Sequence, residues 1–239
     1  MRNTFAIAKR ELQAYFVSPI AYAVTAAFLL VMGILFALFI INPGGAEASM
    51  VFFFGSIFSV FFLLLITPLL TMRLLAEEQH SGTIELLLTS PVRDWEVVLG
   101  KFLASWMLFA AMLVLTLYYP FLLERFGNPD WGPIASGYLG FLLMGGALLS
   151  VGVLTSSLTQ NQIVAAFLGV VINLLLLLCL FVSDFAGPLS GFVSYLSILA
   201  HLIDLIKGVV DTKDVIYYLS VIAVCLFLAT RSLETRRWR

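Results

Sequence analysis

Six apolar runs dominate the chain: Ala21–Ile41, Val51–Met72, Phe102–Leu123, Ala135–Ser157, Gln162–Val182 and Val215–Thr230, and none contains Asp, Glu, Lys, Arg or His. A helix of ~20 apolar residues crosses a ~30 Å hydrocarbon layer, and lipid leaves the backbone no partner but itself. Five of the runs approach or exceed that length, and the sixth is short, so its ends are less sharply marked. A chain that is 62% hydrophobic and 11% charged has too little polar surface to close around a soluble core. The expected fold is an all-α integral membrane protein with six transmembrane helices, forming one transmembrane domain over residues 1–239. No basic run tracks phosphates, so no nucleic acid is expected as a partner. Cys179 and Cys225 lie inside apolar runs and read as small apolar residues. Met1–Pro19 is too polar for a cleavable signal.

Residues 1–19 read as an amphipathic interfacial helix. Asn3 caps it, Phe5, Ala8, Leu12, Tyr15 and Phe16 fall at helical steps, and Lys9, Arg10, Glu11 and Gln13 take the other face. It ends at Ser18-Pro19, because the residue before a proline leaves the helical region. With the N-terminus inside, ten Lys and Arg lie on inner segments and three, Arg125, Lys207 and Lys213, on outer ones. The acids divide evenly, so the cations set the orientation and place both termini and residues 73–101 in the cytoplasm.

Residues 73–101 form the long polar break on that side. Glu77 and Glu78 open it, Gly82 and Thr83 give a turn and a helix start, and Glu85 sits where a carboxylate accepts from first-turn amides. Leu86, Leu87 and Leu88 form an apolar ridge, and Ser90-Pro91 closes the piece. This is either a short amphipathic helix for a soluble partner to grip or an ordinary interfacial loop.

The fourth run is rich in small residues. Gly146 with Ser150, and Gly152 with Ser156, are small-xxx-small pairs that let helices approach closely, within one subunit or between two. Residues 183–214 are apolar but broken by Gly187-Pro188, with Ser190, Ser194, Ser197, His201, Asp204 and Gly208 in one helical stripe. They read as one or two helices dipping into the outer leaflet, in which His201 and Asp204 pair across one turn. They are either a capped interfacial element or an outer gate carried by Ser197, His201, Asp204 and Lys207.

Proton- or sodium-driven carriers hold ionisable groups or broken helices near the midplane, and voltage sensors hold arginine ladders. The six runs have neither. His80 and His201 fall on opposite sides, so no metal or haem pair is expected, and no G-x-x-x-x-G-K-[ST] is present. No nucleophile has a base at a recognisable spacing, so no catalytic residue is expected. Energy therefore arrives from outside the chain, through residues 73–101.

KRELQAYFVSPIAY, MRLLAEEQHSGTIELLLTSPV, WEVVLGKFLA and HLIDLIKGVVDTKDVIYYL together resemble the membrane subunit of a type-2 ABC exporter, near the gliding-motility-type permeases. The E-E-x-x-x-G-T-x-E-L-L-L-T-S-P string is the specific part. The resemblance implies two such subunits side by side, as a homodimer, in a bacterial inner membrane. Two separate ABC ATPases would bind ATP and magnesium, while this chain carries no cofactor. It further implies that Glu77–Pro91 is the coupling helix, that residues 183–214 lie near the exit of the path, and that any extracytoplasmic domain is an auxiliary chain. A membrane scaffold that anchors a partner and moves nothing is the alternative function.

Overall fold

The computed structural model describes residues 2–41, 50–83, 92–183, 185 and 187–237. Among them there is no β-strand, and six helices are long and apolar enough to cross a membrane. Helix α1 (Arg2–Val17) stops at Ser18, and α2 (Pro19–Ile41) starts on Pro19, whose missing N–H costs nothing at a first helical position. The run expected as one second span is divided: α3 (Val51–Gly55), α4 (Ile57–Thr71) and α5 (Arg73–His80). Ser56 makes the first break by accepting from the Phe58 N–H at 3.2 Å. The apolar crossing starts at Ile57 and continues to His80, so Arg73–His80 extends the membrane helix instead of opening a loop.

Helix α6 (Asp94–Thr116) likewise takes in Lys101, and α7 (Tyr118–Phe126) follows a break at Leu117. Pro120 explains that break. It offers no N–H to the Thr116 carbonyl four residues back, and the Tyr138 hydroxyl donates to that carbonyl instead at 2.9 Å. Helix α8 (Trp131–Leu158) begins on Asp130, whose carboxylate accepts from the Gly132 N–H. It is the central post, packing on α4, α6, α9 (Gln162–Ser183) and α12 (Thr212–Arg237). Its apolar window is 83% buried, against 28% for α2 and 22% for α9 and α12, so these three form the lipid-sized rim. Small residues permit the close approach. A β-carbon on Gly152 would overlap the Thr71 side chain of α4.

At the end of the bundle away from α1, a 3-10 turn (Gly187–Leu189) leads into α10 (Ser190–Leu196), then α11 (Ile198–Ile206). The two helices meet at a 64° bend at Ser197, whose hydroxyl accepts from the Leu199 N–H. Helix α11 wedges against α3, α8 and α12.

The face of α1 packed on the bundle carries only part of its apolar stripe. Thr4, Ala8 and Tyr15 are buried with Glu11 largely enclosed, while Phe5 is 61% and Phe16 54% exposed. The helix is turned so that Glu11 reaches a buried lysine on α6.

Candidate functional site

Lys101 is the largest departure from what its sequence context suggests. It lies two turns into α6, is 1% exposed, and is held by carboxylates from two other helices. Its Nζ donates to Glu11 Oε1 of α1 at 3.0 Å and to Glu78 Oε1 of α5 at 2.8 Å. Arg10 completes the group, 2.8 Å from Glu11 and 3.5 Å from Glu78. Two cations and two anions balance, as a low-dielectric site requires. Burial opposes charge on Glu11, but Lys101 and then Arg10 outweigh it and hold its carboxyl below the usual range.

A second set of contacts extends this clamp. Arg73 of α5 donates to Ser18 Oγ at 3.0 Å and lies over the Tyr15 ring at 4.9 Å. The Tyr15 hydroxyl donates to the Leu70 carbonyl at 2.6 Å, and burial pushes that phenol above its ordinary pKa. The α4–α5 junction is bolted to α8 by Ser156. Its hydroxyl accepts from the Leu75 and Ala76 N–H groups at 3.1 and 3.0 Å and donates to the Met72 carbonyl at 2.9 Å. Gln79 Nε2 adds a bond to the Ser157 carbonyl at 2.9 Å. Helices α1, α5, α6 and α8 are thereby locked into one plate at the α1 end.

Above this plate lies a cleft of about 360 Å³ lined by Glu11, Tyr15, Arg73, Glu77, Glu78 and Thr83, among others. Glu77, Ser81, Gly82 and Thr83 are exposed at its rim. Gly82 adopts φ +71°, the left-handed conformation that ends a helix, and Ser81 caps α5 by donating to the Glu77 carbonyl at 2.8 Å. Glu78, expected to offer charge outward, is turned inward by Lys101, and its Oε2 is enclosed without a hydrogen-bond partner among the described residues. Glu85, Leu86, Leu87, Leu88 and Pro91 lie outside the described residues.

The small residues of α8 all pack within the chain. Gly146 faces Trp106 and Ile222, Gly152 faces Thr71, Ser150 donates to the Ala147 carbonyl, and Ser156 makes the junction bonds above.

At the opposite end, the expected His201–Asp204 pair is not formed. His201 Nδ1 lies 2.7 Å from Asp214 Oδ1 of α12, and Nε2 lies 3.0 Å from the Tyr195 carbonyl. Asp204 instead meets Lys213 at 3.2 Å. The first turn of α12 favours a carboxylate at Asp214, and the α10–α11 bend aims His201 into the bundle, where it stacks on Tyr217 at 3.9 Å. Ser197 is buried at the bend, and Lys207 is exposed beyond α11. The four outer-gate candidates are thus divided, two inside and two at the surface. Among the described residues no cluster of three or more His, Cys, Asp or Glu is placed to hold a metal.

Arg10, Glu11, Arg73 and Lys101 were not legible as one site. The available signal was a lone lysine inside WEVVLGKFLA, an apolar setting that obliges a buried cation to find anions.

Comparison with known proteins assigns this bundle. The model of the ABC-2 family transporter proteins matches residues 39–230. The probable multidrug ABC transporter permease YbhR of Escherichia coli, in strains K12 and O157:H7, is 27% identical over 142 residues. That match covers 56% of this chain and 37% of the relative, so the chain corresponds to little more than a third of the relative's length. The family is the transmembrane permease component of ABC transporters, which works with ABC ATPase subunits. With all of the central crossings inside the matched region, the chain belongs to the ABC-2 transporter family.

Proposed function

We propose that the chain forms half of the translocation path of an ATP-driven exporter. It pairs with a second copy of itself in a bacterial inner membrane, with both termini cytoplasmic. Two separate ATPase subunits, loaded with ATP and magnesium, grip residues 77–91. The observation that carries this reading is Lys101. It ties Glu78, at the start of that segment, to α6, just after it, and both to α1 through Glu11. A push on residues 77–91 therefore moves α1, α5 and α6 together, and Ser156 passes the motion to α8. The exposed polar rim of the cleft also supports docking here. Apolar or amphipathic cargo fits apolar runs that contain no ionisable residue, and the description of YbhR as a multidrug permease agrees with it.

The test replaces Glu85 with Lys, or Leu87 with Pro, in the reconstituted complex. Loss of ATPase co-purification or of cargo-stimulated ATP turnover is expected. Full retention of both removes the coupling role from this segment. For the nucleotide to switch the bundle between two states, it must favour one by several kcal/mol, about 5 for a near-complete switch.

A further inference from the structure

A groove on the rim of the bundle lies between the start of α6 and the end of α12, away from the Lys101 clamp. It has a volume of about 350 Å³ and is lined by Trp95, Val98, Leu99, Leu226, Phe227, Thr230, Arg231 and Glu234. Its two ends differ in chemistry. Val98, Leu99, Leu226 and Phe227 make an apolar floor, and Thr230, Arg231 and Glu234 make a polar mouth. From Leu226 to Glu234 the helix rises about 12 Å, the reach of the upper half of an acyl chain. One wall is the first turns of α6 and the other the last turns of α12, both ends of crossing helices, so the mouth lies at the height where hydrocarbon gives way to headgroups. Trp95, 40% exposed, stands at that level, where indole rings concentrate.

One exposed cation stands at the mouth. Arg231 is 61% exposed, spans Phe227 at 5.1 Å and pairs with Glu234 within its own helix. Residues 231–239, RSLETRRWR, hold four arginines and a single acid. An exposed i, i+3 pair is worth little and is readily exchanged. A phosphate that displaces Glu234 from Arg231 makes a charge-assisted contact of the same kind and adds burial of its chain on the apolar floor.

We infer that this groove is a binding site for one anionic phospholipid of the leaflet at the α1 end, with an acyl chain between Val98, Leu99, Leu226 and Phe227 and its phosphate on Arg231. This inference is independent of the coupling role proposed above, since neither Lys101 nor residues 77–91 contribute to the groove.

The test uses the full chain in nanodiscs of phosphatidylcholine, doped with an equal small fraction of brominated phosphatidylglycerol or brominated phosphatidylcholine. Bromine quenches tryptophan on contact, and subtracting the signal of Trp95→Phe isolates Trp95. Quenching is expected to favour phosphatidylglycerol. Arg231→Gln should weaken that preference about fivefold, the share of one arginine at an anionic surface. Arg231→Lys should retain most of it. Glu234→Gln should strengthen it, because the arginine loses its competing acid. This opposite sign separates a lipid site from a general loss of structure. Equal quenching by both lipids overturns the inference, as does a Glu234→Gln effect in the same direction as Arg231→Gln. Protection of Trp95 from both lipids also overturns it, since the groove would then be covered by protein such as a second copy.

Discussion

Replacing Lys101 with Met keeps the volume and removes the charge. Glu11 and Glu78 each lie about 3 Å from the same Nζ, at 3.0 and 2.8 Å, so their oxygens stand no more than 5.8 Å apart. Without the cation, two carboxylates at that distance repel by about 3 kcal/mol at an effective dielectric of 20. Breaking one side of a buried pair costs about 3–5 kcal/mol in general, and Arg10, still 2.8 Å from Glu11, places this case at the low end. The expected loss is therefore about 3 kcal/mol. The assay is reversible unfolding in mixed micelles, followed by helicity. Adding Glu78→Gln removes the repulsion, so the double variant should be more stable than Lys101→Met alone by about 1–3 kcal/mol. The reasoning is refuted if Lys101→Met costs less than about 1 kcal/mol, or if the two changes simply add within about 0.5 kcal/mol.

Other consequences are equally direct. Asp214→Asn should destabilise by about 1–3 kcal/mol because it disrupts a buried hydrogen bond to His201, while Asp204→Asn, in an exposed pair, should change stability by less than about 1 kcal/mol. The same unfolding assay distinguishes the two. Gly152→Ala should cost about 1–3 kcal/mol by forcing α8 off Thr71, read as a lowered melting temperature. The Glu11 carboxyl is depressed in the folded chain, so its contribution is complete above the ordinary carboxylate range and is lost as pH falls through its lower folded value. In Lys101→Met that loss should be smaller and should finish at a higher pH, as stability measured against pH will show.

The six crossings, the break at Ser18-Pro19 and the left-handed Gly82 follow from local signals: apolar length, proline sterics and turn chemistry. The clamp does not. Glu11, Glu78 and Lys101 come from three separate stretches, and a hydropathy window assigns Lys101 to a loop because it weighs charge without partners. His201 shows the same limit. Its i+3 neighbour Asp204 is close in sequence, but the 64° bend at Ser197 turns the imidazole toward Asp214. The division of the second run at Ser56 and after Thr71 likewise rests on a side-chain cap and on Ser156, a hydroxyl supplied by another helix. Periodicity along α1 marks an apolar stripe but not which of its members the bundle encloses: Tyr15 is buried, while Phe5 and Phe16 stay exposed.

The central claim is that nucleotide energy enters through residues 77–101 and moves the bundle. The direct test is a pair of distances between spin labels in the reconstituted complex, in a chain whose Cys179 and Cys225 have been replaced. One label sits at Ser81 and the other at Lys9 or, in a second sample, at Lys207 beyond α11. Because Glu11, Glu78 and Lys101 hold α1 and α5 together, nucleotide binding by the ATPases should leave Ser81–Lys9 unchanged and shift Ser81–Lys207, and only with the ATPases present. Distances that stay fixed across the nucleotide cycle while cargo still moves would contradict it.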